Sequence, residues 1–369
     1  MSRLVTVSNR VALPSQLQAA QGGLAVGLRA ALEESGGLWF GWDGGVDERL
    51  AGARAPRLQE ANGGRYATLR LSRSEYDRYY LGFANQVLWP LFHYRIDLAT
   101  YNHRWYAAYR RVNRFFAERL QPLLGPDDVV WIHDYHLIPL ATELRRLGVR
   151  NRLAFFLHIP FPAPELFATL PWQRELAFDL CNYDIVGFQT ETDVRQFLTY
   201  IDLELGGQVE PEGWSRVEDR RFRVASIPIG IDPDEFARMV EAPEAVRQRQ
   251  RLADSLGGRQ LIIGVDRLDY TKGIPERLKA FEALLETMEP GDHGVSFVQI
   301  SAPSRQDVPE YQRLRVEVET LSGHINGRFS DADWVPLRYL NRSFSRTALA
   351  GMFQLSRVGL VTPLRDGMN

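Results

Sequence analysis

Short apolar runs alternate with longer amphipathic stretches along the chain. The runs Leu4–Ser8, Leu38–Trp42, Tyr66–Leu71, Val129–His133, Leu153–His158, Ile185–Gln189 and Val224–Ile227 have the length and branching of buried strands. Helical spacing is read over Leu24–Glu34, Arg104–Leu120, Leu137–Leu147, Trp172–Cys181 and Thr192–Leu203. In the second of these Trp105, Tyr109, Val112, Phe115, Phe116 and Leu120 recur on one face, which predicts core packing rather than a ligand box. Strands separated by helices predict α/β architecture with parallel sheets.

The turn-rich stretch IPIGIDPDEF, followed by a charged, exposed helix over EAPEAVRQRQRLADSL, predicts a boundary, with domains at 1–240 and 241–369. A second α/β rhythm follows: strand Leu261–Val265, helix Glu276–Met288, strand Val295–Ser301, helices Val308–Leu321 and Ser343–Phe353, and strand Val358–Thr362. GLVTP reads as a buried strand and LRDGMN as the turn that should feed a helix. A parallel strand needs its crossover helix, so the second domain is expected to be incomplete at its C-terminus.

A formal net charge of -2 over 369 residues argues against a general nucleic-acid binder. The single cysteine, Cys181, allows no internal disulfide and reads as a core thiol, so a reducing cytoplasm is expected. The N-terminal MSRLVTVSNR runs directly into a strand without signal-peptide layout, and no apolar run reaches membrane-spanning length.

Candidate chemistry gathers where strands end. The segment LIIGVDRLDYTKG carries Arg267 and Lys272 in the turn between a strand and a helix N-terminus, a seat for a phosphate group. The competing reading is a surface loop with an ordinary Arg and Lys. Arg10 ends the first strand in SNR, and Gly22-Gly23 opens a helix whose backbone N–H groups could meet an anion. A flexible turn would look the same. In HDYHLIP, Asp134 stands either as an acceptor for sugar hydroxyls or as a helix N-cap. His133 and His136 flank it without a third metal-ligand group, so no zinc site is expected. His158 lies in FFLHIPFP at another strand end, a structural or a functional histidine with equal weight. Arg305 follows a later strand, and Asp366 and Gly367 sit in the final turn. No serine elbow or Walker loop is present, and no GxGxxG follows the first strand, which counts against a dinucleotide oxidoreductase. Polar clusters at so many strand ends predict a cleft between two facing domains. One phosphate-bearing ligand would meet Arg267 and Lys272, and another Arg10 and Arg305.

In order along residues 1 to 369 stand SNR, GGLA, GLWFGW, VLWPLFHYR, WIHDYHL, FFLHIPFP, GFQTE, PIGI, VDRLDYTKG, GRFS and TPLRDGMN. In this the chain resembles the trehalose-6-phosphate synthases, retaining glycosyltransferases of family 20. The resemblance implies two facing Rossmann-like domains of the GT-B type. It implies transfer of glucose from a nucleotide-glucose, with UDP-glucose favoured, to glucose 6-phosphate, giving α,α-trehalose 6-phosphate. It further implies acceptor contacts from Arg10, Tyr80, Trp89, Asp134 and Arg305. Donor contacts would come from Gly22, Gly23, His158, Arg267, Lys272, Phe344 and Asp366, and from the backbone of Gly367, Met368 and Asn369. Asp134, His158, Arg267, Lys272 and Asp366 would form the catalytic set, with no cofactor and no metal. In the family an LVxKE-like segment follows RDGMN and its glutamate binds the donor ribose; the sequence here ends at Asn369. Small-molecule substrates are the expected partners, with neither nucleic acid nor membrane, and a homo-oligomer is compatible with the pattern. A glucosylglycerol-phosphate synthase and a catalytically silent regulatory domain share this fold. The joint presence of Arg10, Asp134, Arg267, Lys272 and Arg305 argues against the silent domain.

Overall fold

The computed structural model describes residues 3–13, 28, 36–48, 55–61, 63–289, 291 and 293–367. Gly22, Gly23, Met368 and Asn369 lie outside the described residues. So does the expected helix Leu24–Glu34, apart from Leu28, which is helical and buried. The chain divides into two compact units, Met1–Ile229 and Gly230–Gly367.

The first unit is built on a ten-stranded sheet: β1 (Leu4–Arg10), β2 (Leu38–Val46), β3 (Arg57–Ala61), β4 (Gly64–Leu71), β5 (Val129–His133), β6 (Arg152–Phe156), β7 (Ile185–Phe188), β8 (Gln208–Val209), β9 (Trp214–Val217) and β10 (Arg220–Ser226). Their order is β3-β4-β2-β1-β5-β6-β7-β10-β9-β8. The central strands pair in parallel, while β3, β8 and β9 join the edges antiparallel. From β1 the chain builds toward β2 and β4; from β5 it builds the other way. The carboxyl ends of β1 and β5 are therefore the switch point, where open α/β sheets leave a crevice for ligands.

The His103–Leu120 helix is capped by Asn102, whose side chain accepts from Arg104 N at 2.9 Å. Of the expected face it buries Tyr109, Val112, Phe116 and Leu120, joined by Tyr106, while Trp105 and Phe115 are half-buried. Between β4 and this helix lies an element the sequence pattern did not announce, a π-helix over Tyr76–Leu88. Its wide turns are braced by side chains that reach five residues back. Asn85 Nδ2 donates to Tyr80 O at 2.8 Å and Gln86 Nε2 to Leu81 O at 3.0 Å. Such helices are rare and concentrate at functional sites.

Several expected bounds shift for local reasons. β6 and β7 end at Phe156 and Phe188, which leaves His158 and Gln189 in the turns beyond. The helix expected from Leu137 starts as a 3-10 turn, Tyr135–Leu137; Pro139 follows, and the α-helix runs over Leu140–Arg146. The edge strands β3, β8 and β9 escaped notice because segments such as RLQEA are polar and largely exposed.

The second unit holds a four-stranded parallel sheet ordered β13-β12-β11-β14, with β11 Gln260–Arg267, β12 Val295–Ala302, β13 Leu337–Leu340 and β14 Val358–Gly359. Its switch point lies between β11 and β14. The charged stretch is two helices, Pro233–Val240 and Pro243–Leu256, each with proline in its first turn. The latter is not wholly exposed: Ala245 and Leu256 are buried, and Gly351 packs so closely that a Cβ there would meet Ala245 O at 2.2 Å. The helix expected to end at Leu321 continues over Pro309–Phe329, past Gly323 and Gly327, because Ile325 is buried and helps anchor the extra turns. The strand expected over Val358–Thr362 is only two residues long. It is an edge strand beside β11, and Val358, Val361 and Leu364 are exposed, not buried. Helices form over Ile274–Glu286 and Arg346–Leu355, close to expectation.

Candidate active site

In the first unit the site residues collect at the β1/β5 switch point. Arg10 ends β1 and is exposed. Gly44 in β2 (φ +88°) lies against it, and a Cβ there would meet Arg10 Nε at 2.9 Å. A side chain at 44 would thus displace the guanidinium as well as strain the backbone. The end of β1 is tied to the π-helix by Tyr79 OH, which donates to Asn9 Oδ1 at 2.7 Å. Burial pushes that phenol up well above its ordinary range, so it stays a neutral donor. The turn after β5 is tied to the same helix by Tyr135 OH, which donates to Asn85 Oδ1 at 3.0 Å. One wide helix therefore fixes both strand ends.

Asp134 is held at φ 75°, a strained conformation for a side-chain-bearing residue. Its N–H donates to Phe156 O at 2.8 Å, and its Oδ1 accepts from His158 N at 3.3 Å. Tyr80 stacks on His136 with ring centroids 5.9 Å apart and stands edge-on to Trp42 at 5.5 Å. Trp89 is buried, its ring 4.1 Å from His93 and 5.8 Å from Tyr135.

His133 Nδ1 and His158 Nε2 lie 3.0 Å apart, sharing one hydrogen bond. Burial holds both rings below the ordinary imidazole range, His158 down to about 4 and His133 lower than its usual value as well. A charged ring here would be shielded from solvent by burial, with no carboxylate contact on its nitrogens among the described residues. Neither ring is therefore expected to take up a proton between about pH 5.5 and 8. Histidine ring-proton shifts recorded across that range should stay flat for both, and a midpoint near 6.5 for either would contradict this.

In the second unit the charges collect around the turn after β11. Asp269 caps the 3-10 turn Tyr270–Lys272, accepting from Thr271 N at 3.1 Å. It is fully buried, and its other oxygen accepts from Tyr311 OH at 2.8 Å and Arg305 Nη1 at 3.1 Å, with Arg267 Nη2 4.0 Å away. Arg305 itself adopts φ 44° and also donates to Tyr311. Burial holds the Tyr311 phenol well above its usual range. Lys272 is paired with Asp366, which joins the turn after β11 to the turn beyond β14. Gly273 (φ +61°) permits this approach, since a Cβ there would meet Thr362 O at 2.4 Å. Gly367 N donates to Asp366 Oδ1 at 2.9 Å. Phe344 packs partly buried against the core of this unit, with the Arg342 guanidinium 4.6 Å above its ring.

Beneath this turn lies Arg277, a cation the sequence did not flag because it sits in an ordinary amphipathic helix. It is almost fully buried. Its guanidinium donates to Asp266 Oδ2 at 2.6 Å, Gln299 Oε1 at 2.9 Å, Thr362 Oγ1 at 2.9 Å and Lys272 O at 3.4 Å. Arg277 is thus neutralised by Asp266 and pins Lys272 through its backbone. Asp269 meets Arg305 and Arg267, and Asp366 meets Lys272, so three cations gather at this turn, a chemistry suited to a doubly charged phosphate. Asn9, Tyr79, Tyr135, Asp269, Arg277 and Tyr311 had no sequence signal beyond membership of the motifs around them.

A ten-stranded sheet with a parallel centre and a four-stranded parallel sheet, each with polar residues drawn to its switch point, are the two α/β units of the GT-B fold. The chain belongs to glycosyltransferase family 20, whose profile matches residues 3–369. A trehalose-6-phosphate synthase from Klebsiella pneumoniae is 47% identical over 375 residues, spanning 100% of this chain and 77% of that protein. Among solved structures, an α,α-trehalose-phosphate synthase (UDP-forming) from Burkholderia xenovorans in complex with glucose-6-phosphate superposes with a TM-score of 0.96 at 47% identity, covering 100% of this chain and 81% of that one. The Escherichia coli protein bound with UDP-2-fluoro glucose superposes at 0.92 with 45% identity, covering 100% and 80%.

Proposed function

We propose that the protein transfers glucose from UDP-glucose to glucose 6-phosphate with retention, giving α,α-trehalose 6-phosphate and UDP. The observation that carries this reading is the gathering of Arg267, Lys272 and Arg305 around the turn at the end of β11, in a chain of family 20. The Klebsiella pneumoniae relative is a trehalose-6-phosphate synthase, the Burkholderia xenovorans one is a UDP-forming α,α-trehalose-phosphate synthase in complex with glucose-6-phosphate, and the Escherichia coli one is bound with UDP-2-fluoro glucose.

Arg267 and Lys272 hold the donor diphosphate, with Asp366 orienting Lys272. His158, Phe344, Gly367 and the backbone of Gly22, Gly23, Met368 and Asn369 complete the donor contacts. Arg10, Tyr80, Trp89, Asp134 and Arg305 take the sugar phosphate acceptor. In the reaction the bond from the anomeric carbon to the phosphate oxygen breaks as the acceptor oxygen bonds the same face. The acceptor proton passes to the departing phosphate oxygen, so no protein carboxylate has to act as base. The two cations stabilise the charge that develops on that oxygen, the largest catalytic contribution. Neutral His158 acts as a hydrogen-bond partner rather than an acid. The free, buried Cys181 fits a cytoplasmic setting, and no helix among the described residues is long and apolar enough to cross a membrane.

Gly44→Ala tests the acceptor assignment. Pushing Arg10 aside should raise the KM for glucose 6-phosphate about tenfold, with a smaller change in kcat, by loss of one charge-assisted contact. An unchanged KM would separate Arg10 from the acceptor. The function itself is tested by incubating the enzyme with UDP-glucose and either glucose 6-phosphate or glycerol 3-phosphate, and reading the product by NMR. A 1,1-linked α,α disaccharide phosphate formed only from the first acceptor is expected. Preference for glycerol 3-phosphate, or UDP binding without transfer, would overturn the reading.

A further inference from the structure

Neutral imidazole carries one N–H and one bare nitrogen. His133 Nδ1 and His158 Nε2 face each other at 3.0 Å, so one of them must donate and the other accept. The two outer nitrogens, His133 Nε2 and His158 Nδ1, are buried and have no hydrogen-bond partner among the described residues. Two arrangements satisfy the shared bond. If His158 donates, the leftover N–H is on His133 Nε2. If His133 donates, the leftover N–H is on His158 Nδ1.

The surroundings choose between them. His133 is sealed, 1% exposed, within the sheet between β1 and β6 and against the Trp131 ring at 4.3 Å. An N–H orphaned there would stay orphaned, and buried orphan N–H groups are rarer than buried orphan acceptors. His158 stands past the end of β6, 7% exposed, beside the strained Asp134 at the switch point, where a ligand oxygen can satisfy it. We propose that His133 is a positioning residue. Its Nδ1–H holds His158 in the Nδ1–H tautomer, so that His158 donates to a hydroxyl oxygen of the transferred sugar. The identity of that ligand rests on the function proposed above; the tautomer does not.

The test uses the whole chain labelled with 15N at histidine. In the unliganded wild type, His133 and His158 should both show a protonated Nδ1 and a bare Nε2. His133→Phe removes the donor and should release His158 to populate both tautomers. That variant should lower kcat about tenfold, the worth of one misdirected hydrogen bond, while the KM for glucose 6-phosphate moves little. His133→Asn, which keeps an N–H near the Nδ1 position, should restore the His158 nitrogen shifts and recover most of that kcat. A merely structural role would move stability without moving the tautomer. Finding wild-type His158 protonated at Nε2 would overturn the proposal even if the variants fail to fold. So would a His133→Phe variant with unchanged His158 shifts. Failure of the functional reading shows separately, as absence of disaccharide phosphate from the wild-type enzyme.

Discussion

Arg267→Ala lowers turnover about a hundredfold or more, roughly 3 kcal/mol of transition-state stabilisation, while the fold survives. The size follows from what the side chain does. A fixed cation beside the departing phosphate strengthens its interaction as negative charge grows there, so its loss falls on kcat more than on donor binding. The fold survives because the Arg267 side chain is 41% exposed, and Asp269, 4.0 Å from it, keeps closer partners in Arg305 and Tyr311. Lys272 is a poorer place for the same experiment. Its side chain is 8% exposed and its removal would take a cation from Asp366, 5% exposed, so stability and catalysis would fall together. The check is kcat by UDP release, with a thermal melt of the variant alongside. Turnover within threefold of the wild type would remove Arg267 from the chemistry.

Arg277→Met destabilises the second unit by about 3–5 kcal/mol, the scale for deleting one partner of a buried ion pair. Methionine replaces the aliphatic stem but leaves Asp266 buried without its cation, and it withdraws the donors to Gln299, Thr362 and the Lys272 carbonyl. Equilibrium denaturation of the two proteins side by side measures the difference. Arg277→Lys keeps the charge yet cannot reproduce a fork that reaches four oxygens, so it should fall between the two. A loss under 1 kcal/mol for the methionine variant would show that the network is incidental. Activity should fall in both variants beyond the loss of folded protein, since the Lys272 turn loses its support.

The strands and helices that make the sheets were legible because burial on both faces writes continuous apolar runs such as VVWI and LIIGV. The motif residues were legible because they sit where those runs stop. What escaped is what depends on contacts between distant segments. The π-helix over Tyr76–Leu88 has no distinct hydrophobic period, and its geometry is set by Asn85 and Gln86 bonding backward and by Tyr79 reaching Asn9. Edge strands such as β3 are polar because solvent covers them. The His158 motif gives no sign of His133, its partner 25 residues away. Arg277 looked like one face of an amphipathic helix until Asp266, Gln299 and Thr362 were brought around it. Arg305 shares Asp269 with Arg267, a contact that no spacing along the chain could announce.

The most direct test is a crystal structure of the enzyme with UDP bound. The diphosphate oxygens should lie within hydrogen-bond distance of the Arg267 guanidinium and Lys272 Nζ, with the turn still anchored on Asp269 and Arg277. A diphosphate bound away from both side chains, with the turn after β11 empty, would contradict the account.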